Sequence, residues 1–172
     1  GHEIVEMALF RLYEVTKIQK YYDLSKFFIE ERGQRPYYFD TEEHPDVIIK
    51  GHETEERYQY NQAHKPVLDQ KEATGHAVSA MYLYSAMADF ARIGQDSKMQ
   101  KACETLFDNV VEKQMYITGG VGSSHIGEAF TYNYDLPSDT AYAETCASIG
   151  MAFFCRRMLE ITPSSKYADV LE

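Results

Sequence analysis

The side chains that could do chemistry lie mainly in two stretches without a helical pattern, from Gln34 to Glu72 and from Met115 to Asp139. His64 lies near the end of the first stretch, and His76 stands at the start of the helical pattern that follows it. An imidazole can bind a ligand, move a proton or serve as an ordinary hydrogen-bonding group of the fold. Residue chemistry alone leaves both histidines, and Tyr142 with them, open between these roles.

The second stretch carries three glycines in four residues, at Gly119, Gly120 and Gly122. Glycines at this density permit tight turns and close backbone approach. A phosphate-binding loop would also need a Gly-Lys-Ser/Thr ending between a strand and a helix, and the run has neither. We therefore reject a nucleotide site here.

The three cysteines are too few, and odd in number, to form a disulfide framework. Cys103 and Cys155 fall on apolar helix stripes, which predicts two small buried core residues. Cys146 stands outside those stripes. The set favours a reducing compartment or a metal-held thiol, and we predict a cytoplasmic location.

The composition is that of a globular domain, with 44% hydrophobic and 26% charged residues among 172. The formal net charge of −10 argues against nucleic acid as a partner, because phosphates attract Lys/Arg-rich surfaces. No apolar run approaches the ~20 residues that a membrane span needs, so we predict no membrane partner.

Apolar residues at helical spacing predict an all-α fold built from helical hairpins that are joined by alternately short and long connections. The predicted helices run from Ile4 to Val15, from Tyr21 to Phe28, from His76 to Ala91, from an Asp96 cap to Val110, from Ala147 to Met158, and onward from Ser165 after Pro163. Helical repeats and α/α toroids share this plan, and the lack of a strict period favours the toroid. The last helix is cut after about two turns, which predicts an internal fragment.

Several ordered motifs resemble those of glycoside hydrolase family 127, the β-L-arabinofuranosidases. They are Tyr60-Asn61-Gln62-Ala63-His64-Lys65-Pro66, Thr74-Gly75-His76-Ala77-Val78, Met115-Tyr116-Ile117-Thr118-Gly119-Gly120, Gly127-Glu128-Ala129-Phe130, Tyr134-Asp135-Leu136-Pro137 and Ala141-Tyr142-Ala143-Glu144-Thr145-Cys146-Ala147-Ser148-Ile149-Gly150. The resemblance implies a partial (α/α)6 barrel, with residues 1–172 forming part of a single catalytic domain. It also implies a retaining glycosidase whose nucleophile is a zinc-held cysteine thiolate.

The resemblance assigns roles to individual residues. Glu144 and Cys146 match two zinc ligands of a Glu-x-Cys motif, and Glu128 matches the acid/base. His76 and His2 match histidines that line the sugar pocket. His64 and Tyr142 are further candidates for substrate binding, and the implied partner is a glycoside.

Elementary geometry adds a condition to the zinc assignment. Residues two positions apart on an ideal helix point roughly 200° apart, so Glu144 and Cys146 can share one metal only where the chain is not yet helical. We therefore expect the fifth helix to begin at or after Cys146. An acid/base that works near neutral pH also needs a raised pKa, which predicts burial or a negative neighbour at Glu128.

The family's nucleophile belongs to a Cys-Cys pair downstream of the Glu-x-Cys motif, beyond Glu172. We therefore expect this chain to be inactive alone and to hold zinc weakly or not at all. Two alternatives stay open: a non-catalytic helical scaffold or sugar-binding module, and another α/α-toroid enzyme such as a lyase or epimerase. A partial barrel also leaves helix faces uncovered, which predicts exposed apolar surface and homo-oligomerisation.

Overall fold

The computed structural model describes residues 3–38 and 54–172. Within these ranges the helices are α1 (Ile4–Thr16), α2 (Gln19–Glu31), α3 (Thr54–Tyr60), α4 (Ala77–Gly94), α5 (Ser97–Asn109), α6 (Thr145–Ile161) and α7 (Ser165–Leu171). Two-residue strands β1 (Gly75–His76) and β2 (Ala129–Phe130) pair antiparallel. The predicted all-α class and the hairpin plan are confirmed.

Helix α4 is the centre of the core and contacts α1, α5 and α6. The residues of α4 are buried on nearly every side of the helix, and most of them are small or apolar, which is the pattern of a helix buried all round. Gly150 allows α6 to come close, because a Cβ atom added there would lie 2.7 Å from the Cβ of Met81. Cys103 and Cys155 are both buried in this core, as predicted.

A buried charge cluster ties α1, α4 and α6 together. Asp89 on α4 has a fully buried side chain, and Arg11 of α1 donates to its Oδ1 at 2.6 Å. Arg157 of α6 lies 3.4 Å from Oδ2, and Arg92 lies 3.4 Å from Oδ1. Burial raises the pKa of Asp89, while the three guanidinium groups act in the opposite direction. A buried carboxylate needs such partners, because an unpaired one is costly to desolvate.

The connection before α4 is held by a buried glutamine instead of by regular secondary structure. Gln62 is fully buried, and its Nε2 lies 3.0 Å from the carbonyl oxygen of Tyr60, 2.9 Å from that of Thr74 and 3.3 Å from that of His76. The amide thereby donates to carbonyl groups on both sides of the connection. Its position fixes the backbone of His76 relative to the end of α3.

A second set of buried amides holds the same connection to the end of α5. The Oδ1 of Asn109 accepts the amide N–H of Ala73 at 2.8 Å and the Nε2 of Gln114 at 2.9 Å. Gln114 Nε2 also donates to the carbonyl oxygen of Ala73 at 2.9 Å. Ala73 is therefore bonded through both of its backbone groups to side chains of another hairpin.

The glycine-rich run lies directly beneath the segment that leads into α6. A Cβ atom on Gly122 would lie 2.7 Å from the Cβ of Ala77, and one on Gly120 would lie 2.9 Å from the Cβ of Ala143. The carbonyl oxygen of Gly122 accepts the amide N–H of Ala143 at 2.9 Å. These glycines therefore serve backbone approach, as the rejection of a phosphate loop implied.

Three sequence-based expectations need correction or restriction. The stretch from Gln34 to Glu72 is not entirely irregular, because it contains α3. The fifth predicted helix begins at Thr145, one residue earlier than expected. His2 and residues 39–53 lie outside the described ranges.

None of the helices described at 3–38 and 54–172 is long and apolar enough to cross a bilayer.

Exposed apolar side chains line α1, α2 and the turn between them, as predicted. Val15 is 83% exposed and Phe27 55%, and Leu12, Ile18 and Leu24 are also exposed. Oligomerisation through these faces stays a prediction.

Replacing Gln62 with Leu should destabilise the fold by about 2–3 kcal/mol, because the substitution leaves buried carbonyl oxygens without a donor. The measurement is the free energy of unfolding in denaturant of the full-length protein that contains this chain. Gln34→Leu is the matched control, since Gln34 is exposed. Equal stability of the two variants would contradict the role of Gln62.

Gly122→Ala and Gly119→Ala should separate steric overlap from backbone strain. Both glycines have a positive φ, +81° and +82°, but a Cβ on Gly119 would meet nothing within 4 Å. Alanine at Gly119 should cost about 1 kcal/mol from strain alone. Alanine at Gly122 should cost about 1–3 kcal/mol more, because its Cβ overlaps Ala77. Thermal unfolding of both variants measures the difference, and equal losses would contradict it.

Candidate functional site

The short ladder between β1 and β2 brings two predicted site residues together. His76 pairs with Ala129 in the ladder, and Glu128 directly precedes that partner. The Nε2 of His76 lies 3.1 Å from the Oε2 of Glu128. Ala129 also exchanges two backbone hydrogen bonds of 3.1 Å with Ser124, which closes the turn that presents Glu128.

Glu128 is held in an unusual backbone conformation. Gly127 has φ +69° and Glu128 has φ +51°, so two consecutive residues adopt left-handed conformations. For a non-glycine residue this costs about 1–2 kcal/mol. The ring of Tyr60 lies against this turn, because a Cβ on Gly127 would lie 3.2 Å from its Cε2. The ladder and the ring together keep the carboxylate directed towards His76.

Tyr142 approaches Glu128 from the opposite side. The amide N–H of Tyr142 donates to the carbonyl oxygen of Ser123 at 3.1 Å, which fixes its backbone on the glycine-rich run. Its hydroxyl donates to the Oε1 of Glu128 at 2.7 Å. Each carboxylate oxygen of Glu128 therefore has its own partner, His76 on one side and Tyr142 on the other.

These two hydrogen bonds set the electrostatics of the site. The Tyr142 hydroxyl and then the His76 ring lower the pKa of Glu128 from its ordinary value. The same carboxylate raises the pKa of Tyr142 to about 12. The raised pKa expected of an acid/base is therefore not what the described residues produce, because Glu128 is half-exposed and accepts from two donors.

Glu144 and Cys146 lie together despite their spacing. Glu144 is the N-terminal cap of α6 and has extended backbone angles, φ −58° and ψ 136°. A hydrogen bond to the Glu144 carboxylate, followed by its negative charge, raises the pKa of the Cys146 thiol. Glu144 itself is not helical, although α6 begins at Thr145. The geometric condition for Glu144 and Cys146 to share one metal ion is therefore met.

The pair has the donor chemistry that zinc accepts, a thiol and a carboxylate. With both groups ionised, two negative charges would be adjacent, and a cation would relieve their repulsion. Within residues 3–38 and 54–172, no group of three or more His, Cys, Asp or Glu residues could hold a metal ion. The pair fits as part of a zinc shell that these residues alone do not complete.

The remaining predicted site residues have different surroundings. His64 is half-buried after α3, and its carbonyl oxygen accepts the Tyr37 hydroxyl at 3.2 Å. Its part in substrate binding stays a prediction, as does that of His2. Burial raises the pKa of Cys155 to about 12 and also raises the pKa of Cys103, so neither thiol suits a nucleophile.

Two residues near the site were not among the predicted ones. Ser79 donates its amide N–H to the Nδ1 of His76 at 3.2 Å, and its hydroxyl lies 2.9 Å from the same atom. The spacing of a helix cap and its third residue could have identified Ser79. The Tyr60 ring centroid lies 5.8 Å from that of His76. Tyr60 opens one of the family motifs, but nothing in the sequence predicts that its ring lies beside His76.

Comparisons with known proteins place the chain in a family. A family model described as the GH127 catalytic domain of β-L-arabinofuranosidase matches residues 1–172. A non-reducing end β-L-arabinofuranosidase of Bifidobacterium longum is 40% identical, over all of this chain and 26% of its own length.

Two solved structures are similar as well. One is a GH127 β-L-arabinofuranosidase from Geobacillus stearothermophilus T6, with a TM-score of 0.88 and 53% identity over 96% of this chain and 26% of that chain. The other is a GH127 β-arabinofuranosidase, with a TM-score of 0.84 and 46% identity over 99% of this chain and 24% of that chain. The chain thus spans about a quarter of the length of each relative. With its whole length matched, the chain belongs to the GH127 β-L-arabinofuranosidase family.

Proposed function

We propose that the full-length protein is a retaining glycoside hydrolase that removes terminal β-L-arabinofuranose or a related furanose. The observation that carries the proposal is the position of Glu128 between His76 and Tyr142, close enough to the Glu144–Cys146 pair for its charge to act on the Cys146 thiol. An acid/base next to a thiol and carboxylate pair is the arrangement that the family's chemistry requires. The lyase or epimerase alternative has no comparable support once the family is assigned.

In the first step, a cysteine thiolate from a part of the full-length protein outside these 172 residues attacks the anomeric carbon. The bond from that carbon to the leaving oxygen breaks, and the carboxyl proton of Glu128 passes to this oxygen. Glu128 must be protonated for this step. Displacement of water by a bound sugar would raise the pKa of Glu128 for this step.

In the second step, Glu128 acts as a base. Its carboxylate takes a proton from water, whose oxygen attacks the anomeric carbon and displaces the cysteine sulfur. The lowered pKa that Tyr142 and His76 produce favours the ionised carboxylate for this half of the cycle. Two attacks on the same carbon from opposite sides leave the configuration retained.

Glu144 and Cys146 would hold zinc together with ligands from outside the described residues. Zinc, when bound, supplies the positive charge that keeps coordinating thiols ionised at neutral pH. Both side chains belong to the start of α6, and the Glu144 carboxylate accepts a hydrogen bond from the Cys146 thiol.

The isolated chain, in this proposal, does not turn over substrate, because its two other cysteines are buried in the core. Homo-oligomerisation through the apolar faces of α1 and α2, and a cytoplasmic location, stay predictions.

Glu128→Ala should lower kcat on a nitrophenyl β-L-arabinofuranoside by about 10²–10⁴, the usual contribution of general acid–base catalysis. Azide should restore much of the nitrophenol release, because it attacks the anomeric carbon without needing a base. Glu112→Ala is the control, since Glu112 is exposed outside the site. Turnover like that of the unchanged protein would remove Glu128 from the mechanism.

The full-length protein should contain about one zinc ion per chain by elemental analysis, and Cys146→Ser should weaken zinc affinity by about 100-fold or more, because a ligand is lost. Cys155→Ala should keep zinc, since Cys155 is buried away from Glu144. The isolated 172-residue chain should bind zinc weakly. Undiminished zinc in Cys146→Ser would contradict the ligand assignment.

A further inference from the structure

We propose that Ser79 is a positioning residue for the acid/base: its backbone N–H selects the His76 tautomer that donates a hydrogen bond to Glu128, and its hydroxyl holds the imidazole ring in that orientation. The proposal rests on the proposed function of Glu128. Its basis is a short chain of contacts from the first turn of α4, through the imidazole ring, to the carboxylate. Ser79 is 7% exposed and contacts Nδ1 of His76, whereas Glu128 contacts Nε2 of the same ring.

The hydrogen bonds determine where the imidazole proton sits. The backbone N–H of Ser79 can only donate, and it points at Nδ1 of His76 across 3.2 Å. A ring nitrogen that accepts a proton cannot also carry one, so Nδ1 is the unprotonated nitrogen. The proton of the neutral ring is then on Nε2, which faces Oε2 of Glu128 at 3.1 Å. The hydroxyl of Ser79, 2.9 Å from Nδ1, adds a second donor to the same acceptor.

The helix start and the site therefore share one side chain. His76 is the N-terminal cap of α4, and its Nδ1 satisfies an amide of the first turn that would otherwise lack an acceptor. The ring is only 14% exposed and packs near Tyr60, at 5.8 Å between centroids. It has little freedom to flip, so capping the helix and directing Nε2–H at Glu128 are one conformation.

This arrangement affects catalysis through the orientation of Glu128. The carboxylate is 46% exposed and stands on a left-handed turn, so contacts to its two oxygens hold its direction. A misdirected acid matters most when the leaving group needs a proton, and least when the leaving group departs as a stable anion. Loss of the Ser79 hydroxyl should therefore harm substrates unequally.

The test compares kcat/KM of the full-length protein on methyl and nitrophenyl β-L-arabinofuranosides. Ser79→Ala should lose about tenfold on the methyl glycoside, the loss expected for one hydrogen bond that supports an ionised group, and under about twofold on the nitrophenyl glycoside. Ser79→Thr keeps the hydroxyl and should restore the methyl glycoside rate. Ser85→Ala is the matched control, because it removes a buried hydroxyl of the same helix that bonds only to the carbonyl oxygen of Met81.

His76→Asn provides a second variant that keeps the helix cap. The asparagine side chain can cap the helix by accepting a hydrogen bond from the Ser79 backbone N–H, but it is too short to reach Glu128 at the same time. His76→Asn should also lose more kcat/KM on the methyl glycoside than on the nitrophenyl glycoside, and its loss on the methyl glycoside should be at least as large as that of Ser79→Ala. A lost sugar contact would instead lower both rates alike, because both substrates carry the same sugar.

The outcomes separate the inference from the proposed function. Unequal loss in Ser79→Ala and His76→Asn, with rescue by Thr, supports the inference. Equal losses on both substrates, or none, overturn it, provided that Glu128→Ala itself shows the unequal loss. If Glu128→Ala shows no dependence on the leaving group, the acid role of Glu128 is overturned, and the inference with it.

Discussion

The site depends on one small backbone interaction, the antiparallel pairing of Gly75–His76 with Ala129–Phe130. The two strands belong to connections that are distant in sequence, and the regular structure within those connections is limited to short segments. Pairing them fixes His76 beside Glu128 and leaves the carboxylate at the end of a tight turn. Two residues of ladder would be weak in isolation, so the surrounding structure must supply the stability.

That support comes from buried amides and from glycines. Four buried amide side chains bond to backbone groups of the segment that ends in β1, and these hydrogen bonds replace those of a longer β-ladder. The four residues are Gln62, Gln70, Asn109 and Gln114. Gly120 and Gly122 let the run beneath the site touch Ala143 and Ala77. The left-handed conformation of Glu128 is tolerated because so many neighbours determine its backbone, which is how strain is usually kept at functional sites.

The surroundings of Glu128 influence its ionisation in opposite directions. Donors on both sides of Glu128 favour its ionised form, whereas partial desolvation of the carboxylate acts in the opposite direction. In the proposed mechanism Glu128 gives up a proton and later takes one, and opposing influences of this kind suit that double role. The Asp89 cluster, by contrast, lies in the core between α1, α4 and α6 and has a structural role there.

The sequence by itself determined every described α-helix except α3 to within a few residues, because apolar spacing and the Asp96 cap act locally. It also determined that Cys103 and Cys155 are core residues, and its ordered motifs identified the family. Only the tertiary structure decided how the site residues meet. The β1–β2 pairing and the contact of Tyr142 with Glu128 join segments that are well separated along the chain, and no local signal in the sequence predicts either contact. The pKa of Glu128 was missed for the same reason: its direction is set by Tyr142 and His76, which the fold brings to one carboxylate from opposite sides.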